Sequence, residues 1–347
     1  MKNKRLFNFA TISVFSVISF GLLVGLSWTG IISESLGHIL ALGAINTIVA
    51  LSLNIITGFT GQLALGQAGF MMVGAYSTAI FIMRLNVPLF IAIIMGGLVT
   101  AVFGFIIGFP TLRLRGDYLA ITTLGFGEIL RVVINYFEGL TGGASGLKDI
   151  PSFDNNDYLM NEFLGFVWSF AFLFIIVIAI SNLKKSSTGR AIISIKEDEI
   201  ASNSMGINVA YYKMFSFVFA SFIAGIGGGL YAIFNGYLTP TNAGFMSSVY
   251  FVIYVVFGGL GSITGTVIST FFLTYLQDAL QIVGDYRLVI FPLLLIIIMI
   301  FWPRGIMGNK EFSITDFVWK LLHGELFKKK SDKTDKTDKT NDEGMVS

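Results

Sequence analysis

Met214–Gln277 reads MFSFVFASFIAGIGGGLYAIFNGYLTPTNAGFMSSVYFVIYVVFGGLGSITGTVISTFFLTYLQ, without one Asp, Glu, Lys or Arg. A helix rises ~1.5 Å per residue and a bilayer's hydrocarbon core is ~30 Å thick, so ~20 apolar residues cross it. This stretch therefore has room for three crossings. It divides at Pro240 and again at Gly258-Gly259-Leu260-Gly261. Further uncharged runs cover Leu6–Ser33, Ser35–Met83, Leu85–Leu112 and Phe163–Leu183. Of the 347 residues, 54% are hydrophobic and 13% are charged, where a soluble domain carries about a quarter. That composition excludes a soluble enzyme, a nucleic-acid binder and a single-pass receptor. The chain reads as an all-α polytopic membrane protein in a lipid bilayer.

The charges fix an expected topology. Ten spans are expected at 6–29, 39–57, 67–83, 87–109, 118–134, 163–182, 214–234, 243–258, 263–282 and 288–301. The basic N-terminus resembles a signal peptide, but its apolar run lacks a small-x-small cleavage site and reads as a retained span. Cytoplasmic loops collect Lys and Arg. Ten spans with both termini inside put Lys2, Lys4, Arg5, Arg113, Arg115, Lys184, Lys185, Arg190 and Lys196 on one face. The acidic 135–162 loop, with Glu138, Asp149, Asp154, Asp157 and Glu162, falls on the other. Eight spans, with 58–69 and 258–265 re-entrant, is the competing count. Residues 1–305 form the expected membrane domain and 306–347 a cytoplasmic tail. From about 328 the tail is a Thr-Asp-Lys repeat too polar to bury a core.

The chemistry that is absent narrows the function. There is no cysteine, and His38 and His323 are the two histidines, so no cysteine or multi-histidine metal site is expected. No Gly-Lys dipeptide occurs, hence no P-loop. Spans lack the series of carboxylates that a proton or sodium relay uses. If the protein pumps, its ATPase lies on another chain. The segment 181–213 offers such a chain a dock: charges at Lys196, Glu197, Asp198 and Glu199 sit between Ile192, Ile195, Ile200 and Met205. An ordinary solvated loop accounts for that composition equally well.

Two groups of polar residues are candidates for the path. Asn54, Gln62 and Gln67 lie in a glycine-punctuated stretch, and broken helices expose backbone groups to a polar substrate. The competing reading is interhelical hydrogen bonding, averaging ~0.6 kcal/mol each. Glu128 and Arg131 are three apart in one span and can pair. Such a pair could attract a zwitterion or receive a binding protein, or brace the rim with Arg131 near the outer surface. The Gly21/Gly25, Gly104/Gly108, Gly225/Gly229 and Gly261/Gly265 pairs suit close helix packing.

Asn54–Ser77 (NIITGFTGQLALGQAGFMMVGAYS) resembles the signature of LivM-type permeases, subunits of branched-chain amino-acid ABC importers. Leu112–Leu147, Gly189–Val209, Gly236–Pro240 and Gly258–Gly265 extend the resemblance over roughly residues 40–305. It implies the ten-helix importer fold and a bacterial cell-membrane location. It also implies a LivH-type second permease, two cytoplasmic ATPase subunits holding ATP and Mg, and an external substrate-binding protein. No cofactor is expected on this chain, and no enzymatic activity. The resemblance makes 183–213 the coupling loop, with Arg190, Glu197, Asp198, Glu199, Ala201 and Gly206 as its candidate docking residues. Glu199-Ile200-Ala201…Gly206 keeps the Glu-Ala-Ala…Gly pattern of many importers loosely. Leucine, isoleucine and valine are the expected substrates. Urea and other amino-acid permeases are closely similar, and a stand-alone transporter or channel is a remoter reading.

Overall fold

The structure is a computed structural model that describes residues 34–112, 114, 116–153, 158–301 and 305–308. The expected first span and the repetitive tail lie outside these residues. The chain runs through α1 (Glu34–Asn54, continued by a π-helical turn Ile55–Phe59), α2 (Gln67–Leu85), α3 (Leu89–Thr111) and α4 (Asp117–Tyr136). Then come α5 (Glu138–Thr141), α6 (Tyr158–Lys185), α7 (Ser187–Glu197), α8 (Glu199–Ser204) and α9 (Val209–Asn235). It ends with α10 (Phe245–Gly258), α11 (Ile263–Ala279) and α12 (Arg287–Phe301). Among the described residues there is no β-strand, only one isolated bridge between Leu147 and Leu238.

Among the described residues, seven helical stretches are long and apolar enough to cross a membrane: Ser35–Phe59, Gln67–Leu85, Leu89–Thr111, Met160–Lys185, Val209–Asn235, Pro240–Gly258 and Ile263–Gly284. They take seven of the ten expected positions. α4 takes the fifth; Glu128, Arg131 and its threonines make it less apolar. α12, at 15 residues, takes the tenth. With the first span outside the described residues, the helices are compatible with ten crossings.

Burial separates the inner helices from the outer ones. The most apolar windows of α1 and α9 are 78% buried within the chain, against 33% for α3, whose Phe105, Ile106 and Phe109 point outward. α9 is the centre because its glycines admit two neighbours at backbone distance. An added Cβ at Gly225 would lie 2.9 Å from Gly97 Cα on α3, and one at Gly74 on α2 would lie 2.7 Å from Gly225 C. Gly104 meets Ser221 and Gly229 meets Thr78 and Ile93, so these members of the expected small-residue pairs do pack between helices. Gly261 does not. It lies in a loop with φ +91°, a left-handed conformation that glycine adopts without steric cost.

One end of the bundle is closed by the 135–153 segment. Leu238 N–H donates to Leu147 O at 2.8 Å and Ile150 N–H to Gly236 O at 3.0 Å. Beneath these bonds Met72, Tyr76, Ile134, Ile150 and Leu238 form one buried cluster. The Arg84 guanidinium donates to Gly139 O across the same end. The other end carries Lys184 and Lys196.

Candidate functional site

At the lysine end, α1 changes register through its π turn and the chain then runs without regular structure from Gly61 to Gly66. Asn54 closes this break. Its side chain, 1% exposed, donates to Ser262 O (3.0 Å) and Thr266 Oγ1 (3.1 Å) and accepts from Gly261 N–H (2.8 Å). One amide thus satisfies the loop and the first turn of α11. Gly58 lets the two segments meet: a Cβ there would lie 2.5 Å from Gly261 N and 2.9 Å from Gly261 Cα. Ser262 caps α11 by accepting from Gly265 N–H at 3.0 Å.

Gln67, also buried, starts α2 and donates through Nε2 to Ser52 Oγ, while its Oε1 has no hydrogen-bond partner among the described residues. Gln62 is half-buried and stays local, accepting from Thr60 Oγ1 at 3.4 Å. The three amides therefore share one break without forming one cluster. Asn54 faces α11, Gln67 faces α1, and Gln62 turns back on its own loop.

Residues 187–204 fold as two short helices over this break. Ser186 caps α7 by accepting from Gly189 N–H (3.0 Å), and the buried Gly189, Ile192 and Ile195 lie on one face at helical spacing. Lys196 Nζ donates to Gly58 O (2.9 Å) and Lys184 Nζ to Gly261 O (2.8 Å). Lys184 also lies 5.2 Å from the centroid of the Phe59 ring. Both lysines were legible only as loop charges; here they grip the carbonyls that Asn54 brings together.

The other residues of this segment divide between internal bonding and exposure. Asp198 caps α8, accepting from Ile200 N–H (2.8 Å) and Ala201 N–H (2.9 Å). Glu199 pairs with Lys213 at 2.7 Å, a lysine side chain only 8% exposed. Arg190 donates to Lys185 O at 2.9 Å. Gly206, at φ +83°, ends the α8 turn. Glu197 and Ala201 are exposed, as are Ile200 (76%) and Met205 (83%), two apolar side chains left without cover.

Glu128 and Arg131 form an ion pair at 2.8 Å on α4, the helix whose Thr123 hydroxyl accepts from Leu65 N–H of the break at 3.0 Å. Glu128 Oε1 also accepts from Phe245 N–H at 3.2 Å, the first amide of α10, where the helix dipole favours an anion. At ~1.5 Å per residue, Glu128 lies about 16 Å from Asp117 and about 12 Å from Tyr136. The pair stands inside an expected span, and its side chains remain 34% and 42% exposed. Glu128→Gln keeps an acceptor for Phe245 N–H while giving up the ion pair with Arg131, and is expected to melt above Glu128→Ala. Glu128→Ala removes the cap and leaves Arg131 unpaired, so a loss of about 1–2 kcal/mol is expected in thermal denaturation. Equal melting of the two variants would refute the capping role.

Helices long and apolar enough to span a membrane, packed on glycine seams and including a broken helix held by an amide, define a multi-pass membrane protein. The sequence family described as branched-chain amino acid transport system / permease component matches residues 35–301. LivM of Salmonella typhimurium, a high-affinity branched-chain amino acid transport system permease protein, is 30% identical over 82% of this chain and 73% of its own. BraD of Pseudomonas aeruginosa is 26% identical over 78% of this chain and 94% of its own. LivH of Salmonella typhimurium is 23% identical over 78% and 93%. No solved structure matches. The chain belongs to the branched-chain amino-acid transport permease family and is of the LivM type.

Proposed function

We propose that this chain is one of two permease subunits of an ATP-driven importer for leucine, isoleucine and valine in a bacterial cell membrane. The observation that carries this is the coupling segment. α7 and α8 present Ile200 and Met205 outward, while Lys196 and Lys184 hold the carbonyls of the helix break. A partner that moves α7 therefore pulls on Gly58 directly through Lys196, while Lys184, at the end of the adjoining α6, holds Gly261. Two cytoplasmic ATPase subunits, which hold ATP and Mg²⁺, are that partner. The lysine end is then cytoplasmic, by the same charge rule that puts both termini inside.

The second permease is of the LivH type. Relatives of both kinds, LivM and LivH, are named for one high-affinity system in Salmonella typhimurium. Glu128 and Arg131 give a physical reason for a neighbour: an exposed ion pair that deep is costly against lipid and settles against protein or a water-filled path. An external binding protein delivers the amino acid at the acidic face.

Co-expression with the adjacent transport genes and reconstitution into liposomes is expected to give ATP-dependent leucine uptake. Flux without ATP would overturn the mechanism. Uptake of urea in place of leucine would overturn the substrate.

A further inference from the structure

A cavity of about 240 Å³ lies between α1, α2, α9, α10 and α11, and its lining includes neither the residues of the helix break nor Glu128 and Arg131. Asn46, its contributor from α1, is about 18 Å along the helix from Glu34 and about 20 Å from Phe59. The cavity therefore reaches the depth of the hydrocarbon core. Polar side chains there are expensive unless they meet one another, water or a solute.

Four amides line it, Asn46, Asn235, Asn242 and Gln277, together with the Ser247 hydroxyl and three tyrosine phenols. Some of their bonding capacity is internal. Asn242 donates to Tyr231 Oη at 3.0 Å, Asn235 to Tyr231 O at 2.9 Å, and Gln277 Oε1 accepts from Tyr254 Oη at 3.3 Å. Gln277 Nε2 is buried and has no hydrogen-bond partner among the described residues. A buried donor left unmade costs about 1–3 kcal/mol, so this one points to an occupant that accepts a hydrogen bond. Among the described residues no charged side chain lines the cavity, while Leu42, Met71 and Phe251 give it an apolar wall.

We infer that this cavity is a transient binding site for a zwitterionic amino acid with a short aliphatic side chain. Amide and phenol donors take the carboxylate, amide and hydroxyl oxygens take the ammonium, and the apolar wall takes the side chain. A net-neutral solute needs no protein counter-charge at this depth, whereas a net anion or cation would be left unpaired. The volume falls below the ~300–1,000 Å³ of drug-sized pockets and suits a solute of amino-acid size. The inference rests on the transport reading for the solute's identity, but its test is made at the cavity.

The chain has no cysteine, so single-cysteine labelling reports one position. Ser247→Cys is a near-isosteric change in the wall, and Tyr136→Cys an 81% exposed control outside it. In membranes holding the full transporter without the binding protein, L-leucine should slow maleimide labelling at Ser247→Cys severalfold and saturably. It should leave Tyr136→Cys unchanged. The anion 4-methylpentanoate and the cation leucinamide should not protect. Adding Gln277→Leu to Ser247→Cys should abolish the protection while the labelling rate without leucine persists, which shows the cavity still formed. Absence of protection by leucine, equal protection at Tyr136→Cys, or protection that survives Gln277→Leu would each overturn the site. Protection by urea instead would overturn the zwitterion assignment. ATP-dependent leucine uptake by the complete transporter, with any of these failures, would leave the transport reading standing and remove only the cavity.

Discussion

Gly228→Ala is expected to abolish accumulation of the folded chain in the membrane. The added methyl would sit within the van der Waals radius of Met71 O, 2.8 Å from Met71 C and 2.9 Å from Ala75 N. All three atoms are backbone of α2, so no rotamer change makes room and the helices themselves must part. The same crossing holds Gly74 against Gly225, and parting α9 from α2 opens that contact as well. Overpacking costs about 1–3 kcal/mol where side chains can yield, and more where they cannot. Against a total stability of about 5–15 kcal/mol this is a large loss. Each loss of about 1.4 kcal/mol raises the unfolded-to-folded ratio about tenfold, and removal of unfolded chain by cellular proteases turns that into an expected fall of at least about tenfold in accumulated protein. Gly37→Ala is the control: no atom lies within 4 Å of its added Cβ, and alanine is the better helix former. Matching abundance and melting temperature of the two variants would disprove the close α2–α9 crossing.

That seam shows how far the sequence could be read. Uncharged runs and their breaks place the helices, because crossing a bilayer demands length and apolarity from contiguous residues. Partner choice is a different matter. Asn54 is visible as an amide beside glycines, yet its partners Gly261, Ser262 and Thr266 are more than 200 positions away in the chain. The Gly261/Gly265 pair has the spacing of a packing motif, but backbone dihedrals, which spacing does not encode, put Gly261 in a loop. Glu128 is legible as a charge in a span; its capping of α10 is not, since Phe245 offers only a backbone amide. Asn46, Asn235 and Gln277 carry no charge and lie outside the glycine-punctuated stretch that marks Asn54, Gln62 and Gln67, so neither signal points to them. Amides within uncharged spans were the available signal.

Lys196→Met is expected to separate ATP hydrolysis from transport. Methionine keeps an unbranched, flexible side chain but cannot donate to Gly58 O, the bond of 2.9 Å that ties α7 to the helix break. Ile192 and Ile195 still bury, so α7 stays folded and Ile200 and Met205 stay exposed toward the proposed ATPase partner. A hydrogen bond to a charged group contributes about 1.5–3 kcal/mol, which biases two states of the break by about 10- to 150-fold. Leucine uptake per ATP hydrolysed should accordingly fall at least about tenfold in reconstituted transporter, with subunit assembly intact. Lys184→Met, which frees Gly261 O, should act in the same direction, and the double variant should lose uptake altogether. Lys196→Arg retains a charged donor and should recover part of the coupling. If uptake and ATP hydrolysis fall together in Lys196→Met, the lysine serves assembly; if neither falls, movement of α7 reaches the break by another route.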